Sequence, residues 1–226
     1  MLTRQCQHTV KTLILCLAGL IFTAQAQSND APAAALPTGT PLPPNATIEL
    51  VTNEILGKIE AHRSSVKNST DDAAKAEQTL CFFADIEETL ARVVDFDWIA
   101  LNVMGAYRKT ANTEQKQQFA KAFRAGLVET YSRGLLSYSS EKIVLLSNDT
   151  ELGDKRKVSV RQEIRGLDNN YPLKYTMGLK NGQWKIINVT INGINLGKTF
   201  KNQFMQSAEK HSGNIDKVIT GWDSSI

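Results

Sequence analysis

Asn181-Gly182-Gln183-Trp184-Lys185-Ile186-Ile187-Asn188-Val189-Thr190-Ile191, continued by Asn192 to Phe204 (NGINLGKTFKNQF), decides how the second half of the chain is read. It opens on Asn-Gly, a two-residue hairpin signal, and then runs as an extended segment. Counting by twos puts Ile187, Val189 and Ile191 on one face and Trp184 and Ile186 on the other. An Asn/Gly-punctuated break at Asn192-Gly193-Ile194-Asn195 precedes Phe200 and Phe204, one helical turn apart. No acid, base or metal ligand stands out. The apolar surface serves the protein's own core or something the protein carries.

Upstream, the same period of two continues. Tyr171 to Leu179 carries Leu173, Tyr175, Met177 and Leu179 on one face, and Lys155 to Arg165 alternates Val158, Val160 and Ile164 against Ser159, Arg161 and Glu163. Glu141 to Leu146 is a first strand. Before Ser140 the period is helical. Ile48, Val51, Ile55 and Ile59 mark a helix over 47–66, with Thr47 or Asn45 as cap. Leu80, Phe83, Ile86 and Leu90 mark a second over 73–92, opened by Thr70 or Asp71. Asp95 opens a short helical segment to Gly105, and Thr113 caps a long helix whose stripe includes Phe119, Phe123, Leu127, Tyr131 and Tyr138. Helical pieces over 197–211 and 214–223 close the chain. Helices followed by an antiparallel meander imply an α+β fold: helices packed on a curved, four-stranded, cone-like sheet, a shape that leaves room for a cavity.

The N-terminus reads as an export signal. Arg4 and Lys11 precede or flank the apolar run Leu13 to Phe22, and Ala24-Gln25-Ala26 is a small-x-small cleavage pattern. The run is too short for the ~20 residues of a membrane span, and Cys16 lies inside it among bulky residues, unlike a lipoprotein signal. Residues 1–26 are therefore expected to be removed. Losing Arg4 and Lys11 lowers Lys+Arg from 26 to 24 against 23 Asp+Glu, a charge near +1 and no footprint for nucleic acid. Cys81 alone then remains, so the fold is expected to rest on its core without an internal disulfide. Sequons at Asn45, Asn68, Asn148 and Asn188 are read as chance, which with the short leader points to a bacterial periplasm. Residues 27–46, rich in Pro and Ala, read as a flexible linker, and 47–226 as a single domain.

Catalytic and metal chemistry find little support. His62 and His211 sit on helical surfaces without ligands at metal spacing, and Cys81 reads as a small buried hydrophobe. Asp95-Phe96-Asp97 sits where a helix cap belongs. No glycine-rich phosphate loop or nucleophile elbow occurs. Neither a catalytic group nor a cofactor is expected.

Val94 to Gln115, VDFDWIALNVMGAYRKTANTEQ, resembles the MlaC family, also called the toluene-tolerance auxiliary proteins. Its Asp-led short helix, its Gly-x-aromatic-Arg turn and the helix with Phe119, Phe123, Leu127 and Tyr131 carry the likeness. Trp184-Lys185-Ile186 and Gly193-Ile194-Asn195-Leu196 with Phe200 and Phe204 extend it, and in all it spans roughly Leu50 to Ile219. The proline-rich stretch before Asn45 is longer than that pattern, and Thr110-Ala111-Asn112-Thr113 is one residue off it.

The resemblance implies a phospholipid carrier in the periplasm, working between an inner-membrane ABC lipid transporter and an outer-membrane lipoprotein complex. Two acyl chains of ~16 carbons represent on the order of 25 kcal/mol of transfer free energy at ~0.8 kcal/mol per CH₂, so a soluble carrier needs an apolar slot that replaces the bilayer. That slot is expected between the sheet and the 114–138 helix. Its lining would draw on Val103, Met104, Tyr107, Phe123, Leu127, Tyr131, Val158, Val160, Tyr175, Met177, Val189, Ile191, Ile194 and Phe200. Arg108, Lys109, Arg161 and Lys198 would rim the mouth. Another hydrophobic ligand, or a small cone-fold enzyme with a buried carboxylate or tyrosine, are the competing readings.

Overall fold

A computed structural model describes residues 42–139, 141–146, 152–166 and 169–222. The signal peptide and most of the linker expected from the sequence lie outside them. Helix α1 spans Pro44–Lys67 and begins three residues before the expected start, because proline fits a helix's first turn without losing a needed N–H. Neither Asn45 nor Thr47 caps it; the Thr47 hydroxyl instead donates to Pro43 O at 3.0 Å. Helix α2, Asp72–Val93, is capped by Asp71, whose carboxylate accepts from the amides of Ala73 and Ala74. Its buried stripe is Phe82, Ile86, Thr89 and Val93, and Leu80 is 65% exposed rather than inside it. Helix α3, Phe96–Val103, starts at Asp95, as the capping argument required, and a 3-10 turn Gly105–Lys109 follows.

Helix α4, Thr113–Leu136, is capped one residue earlier than expected. Asn112 accepts from Gln115 N at 2.8 Å and Gln115 returns a bond to Asn112 N at 3.1 Å, a complete capping box. Its buried face turns along its length, from Phe119 and Phe123 to Val128 and Ser132. Its main neighbours are α2, α3 and helix α6, Ile215–Thr220, so it does not lie face to face on the strands. The helices that meet the sheet are α1, α2, α3 and α5, Leu196–Lys210.

The sheet runs in sequence order through β1 Lys142–Leu146, β2 Lys157–Arg165, β3 Asn170–Lys180, β4 Gln183–Ile191 and β5 Ile194–Asn195, every neighbour antiparallel. It has five strands, not four. Asn192 and Gly193 have φ of 48° and 83°, repeating the 50° and 74° of Asn181 and Gly182, so each Asn-Gly pair turns a hairpin.

A bulge at Ile187 corrects the strand phase. Thr176 pairs with Asn188 but Met177 pairs with Ile186, which leaves Ile187 as the extra residue. The alternation flips there, so Val189 shares the helix-facing side of Trp184 and Ile186 while Ile187 turns away. Ile187 lies over Gly178, where an added Cβ would meet its Cδ1 at 3.3 Å.

Candidate functional site

The buried apolar side chains form separate clusters, and two of them frame the site. The helical cluster joins α3, α4, α5 and α6 around Phe119, Phe123, Phe200 and Phe204, with Trp222 packed against them. Its rings meet edge to face, Phe119 to Phe204 at 4.8 Å and Phe123 to Phe200 at 5.4 Å. The sheet cluster joins the helix-facing side of β2, β3 and β4 to Ile48 and Val51 of α1 and Val93 of α2. The two share no buried residue, although their elements meet where α3 and α5 pack against β4. Half-buried side chains mark their margins: Leu127, Tyr131 and Leu196 on the helical cluster, Tyr175 and Val189 on the sheet cluster.

The junction is pinned at its ends. Asp95 N donates to Ile186 O at 3.0 Å, and Val94 makes an isolated bridge to Ile186, so the start of α3 is tied to β4. The buried Asp95 carboxylate accepts from Trp98 N at 3.2 Å and from Lys180 Nζ at 2.6 Å. Those partners leave it a cap and an ion pair rather than a proton carrier.

A polar chain crosses the sheet cluster. Gln162, 3% exposed, donates to Thr52 Oγ1 at 2.8 Å and accepts from the Tyr175 hydroxyl at 2.9 Å. Burial pushes the Tyr175 pKa up to about 12. That moves the phenol away from the neutral range in which a general acid or base works, and its proton is already committed to Gln162. Among the described residues no three His, Cys, Asp or Glu side chains are grouped to hold a metal.

At the contact of α3 and the foot of α5 with β4, on the Ile187 side of that strand, lies a groove of about 350 Å³. Ile99, Val103 and Ile187 contribute apolar lining with Trp98, while Lys157, Lys198 and Lys201 supply the charge.

The family model described as "MlaC protein" matches residues 60–224. The chain belongs to the MlaC family. It is 30% identical over 187 residues to "Toluene tolerance protein ttg2D" of Pseudomonas putida, covering 81% of each chain. To "Intermembrane phospholipid transport system binding protein MlaC" of Haemophilus influenzae it is 26% identical over 164 residues, covering 70% of this chain and 72% of that one. A solved phospholipid-binding protein from Ralstonia solanacearum, in complex with a phospholipid, superposes with a TM-score of 0.67 at 21% identity, over 78% of this chain and 92% of that one. That likeness concerns the fold.

Within this MlaC-family chain the fourteen residues expected to line a slot divide between the clusters. Val103, Met104, Tyr107, Phe123, Leu127, Tyr131 and Phe200 belong to or pack on the helical one; Val158, Val160, Tyr175, Met177 and Val189 belong to or pack on the sheet one. Ile191 and Ile194 join neither, and Ile194 is 53% exposed because β5 is only two residues long. Of the four expected rim cations, Lys198 lines the groove. Arg108, Lys109 and Arg161 are exposed; none of them lines that groove.

Two expectations change. His62 is not a plain surface residue: its ring stacks on Phe82 with centroids 4.9 Å apart. Cys81 is half-buried on the flank of the α2 stripe and not within its core. Gln162 joins them as a buried polar residue whose sequence signal is its place between Val160 and Ile164 on an alternating strand.

Proposed function

We propose that this chain is an exported phospholipid carrier. It takes up a lipid by its acyl chains and carries it across the periplasm between an inner-membrane ABC transporter complex and an outer-membrane lipoprotein complex, sustaining outer-membrane lipid asymmetry. The observation that carries the reading is the pair of apolar clusters meeting at α3, α5 and β4 without a common buried residue. A boundary between two dry clusters opens at less cost than one interlocked core, and acyl chains fill it with apolar contact in place of water. Leu127, Tyr131, Tyr175 and Val189, at the two margins, would touch the chains first, with Met104 and Met177 adapting behind them. Family membership and the names of the relatives support the cargo class. Carriage needs no catalytic group, and among the described residues no helix is long and apolar enough to cross a membrane.

Purification without detergent, solvent extraction and mass spectrometry test the reading. Phospholipid is the expected extract, and its absence overturns the proposal. Val189→Glu, opposite Tyr175 in the sheet register, should remove the lipid while circular dichroism stays unchanged. Lipid retained in the folded variant would move the cargo away from this boundary.

A further inference from the structure

β1 is an edge strand. Among the described residues it is hydrogen-bonded to β2 alone, in unbroken register from Lys142 opposite Arg165 to Leu146 opposite Arg161. Half of its N–H and C=O groups therefore point away from the sheet. The other edge is protected, because β5 is two residues long and the chain leaves it directly into α5. β1 has no such guard: KIVLL contains no proline and no bulge, and its only charged residue, Lys142, stands at its end. Ile143 and Leu145 lie on the side of buried Gln162, Val144 and Leu146 on the opposite face. That opposite face is cationic. Lys142 stands directly across from Arg165 and Arg161 directly across from Lys174, and all four are exposed. Like charges placed opposite each other destabilise a sheet. Glu163 is the one carboxylate on this face of β1, β2 and β3, and it is committed to Arg165 at 2.6 Å. Among the described residues Lys142, Arg161 and Lys174 have no carboxylate in ion-pair range.

We infer that β1 is a docking edge for an acidic, extended segment of a partner protein, which adds to the sheet as a further strand. Main-chain hydrogen bonds to the edge supply affinity, and alternate side chains supply the fit. Apolar residues of the added strand continue the row of Ile143 and Leu145, and its carboxylates fall on the face of Lys142, Arg161 and Arg165. Lys142 then lies one strand away from them, ~4.8 Å, and the two arginines lie two strands away, ~9.6 Å backbone to backbone. The second distance is within the Debye length of ~10 Å at 0.1 M salt, and long arginine side chains shorten it across Val144 and Leu146. A second copy of this chain is a poor occupant, because pairing β1 with β1 lines up the cations of both copies on one sheet. The surface uses none of α3, α5 and β4, which meet at the boundary assigned to acyl chains. It therefore stands whether or not that boundary holds cargo.

Titration of ¹⁵N-labelled full-length mature protein with a designed peptide that alternates glutamate with valine tests this. The peptide should shift the amides of Ile143 to Leu146 and slow their hydrogen exchange. The same peptide with lysine in place of glutamate should bind roughly fivefold more weakly or worse, the worth of about two exposed ion pairs. N-methylation along the peptide backbone, which removes its donors and keeps its charge, should abolish binding. The double variant Lys142→Gln/Arg161→Gln should lose roughly fivefold in affinity for the glutamate peptide while keeping its dichroism and its co-purified lipid. Because it relieves two like-charge pairs, that variant should unfold at a urea concentration no lower than the parent. Equal binding of the lysine peptide, retained binding of the N-methylated one, unchanged affinity in the double variant, or no shift along β1 overturns the inference. A concentration-dependent dimer that protects the β1 amides without peptide would also overturn it, in favour of a second copy. Loss of co-purified lipid in the folded double variant would overturn it too, by making this face part of the cargo site.

Discussion

The helical cluster and the sheet cluster exclude water by different means. Around Phe119 the helical cluster is a set of interlocked rings, with Phe204 and Trp222 meeting Phe119 edge-on at 4.8 and 5.0 Å, and all its members are apolar. The sheet cluster is mostly aliphatic, and at its margin a hydrogen-bonded chain runs from Tyr175 through Gln162 to Thr52, tying α1 to β2 and β3. One cluster depends on shape, the other on patterning plus a polar latch. Shape fails by leaving a void; a latch fails by leaving a donor or acceptor without a partner.

The largest expected effect comes from breaking the shape. Phe123 is fully buried and touches Phe119 and Phe200. Phe123→Ala should cost about 3–5 kcal/mol in urea unfolding, the usual range for a ring lost from a close-packed core. A cost below about 1 kcal/mol would mean that the neighbouring rings collapse into the space, and the contrast between a rigid and an adaptable cluster would fall.

Breaking the latch should cost less, and the loss should be reparable. Gln162→Leu keeps the approximate size but strands the Tyr175 and Thr52 hydroxyls, for about 1–3 kcal/mol. Adding Tyr175→Phe and Thr52→Val removes both stranded groups and should restore most of that loss. Strictly additive losses in the cycle would mean that the three side chains do not act as a unit.

What the sequence revealed and what it hid differ in range. Elements governed by near neighbours were legible: the switch of period near Ser140, the Asn181-Gly182 hairpin, the Asp95 cap. Where two local signals sit side by side, the structure uses the less obvious one. Asn112 caps α4 rather than Thr113, and Gln115, three residues beyond Asn112, was the mark of the capping box. The second Asn-Gly pair, Asn192-Gly193, obeys the same rule as the first and turns a hairpin where the sequence suggests only a break.

The bulge at Ile187 is different in kind. Nothing in KIINVTI distinguishes an uninterrupted strand from one that flips phase, because the flip depends on pairing with β3 and on the space over Gly178. The groove was hidden for the same reason. Lys157, Ile187 and Lys201 are far apart along the chain and become neighbours only when α5 folds back beside β4.

The smallest predicted effect concerns the contact of α1 with α2, where a third cluster forms around Ile59, Phe82 and Ile86. His62 lies against Phe82, and burial lowers its pKa below the ordinary 6.5 despite an opposing interaction with the Gln78 backbone. The folded protein therefore favours neutral imidazole, and the unfolded chain takes up the proton at higher pH. Between 6.5 and the lower folded value the unfolded state binds more protons, so stability falls as pH falls through that window and is fully present above it. The partly exposed ring keeps the change under about 1 kcal/mol, smaller than either loss above. Glu54 acts lower on the scale. Burial raises its pKa, but the hydrogen bonds from Arg92 and Thr89 and the charges of Arg92 and Lys58 outweigh that and leave it below 4.5, so its contribution is lost only in stronger acid. Urea midpoints from about pH 7 to about pH 5 thus isolate the imidazole. His62→Gln should flatten the slope in that interval, and a slope that survives the substitution would place the titrating group elsewhere than at this stacked contact.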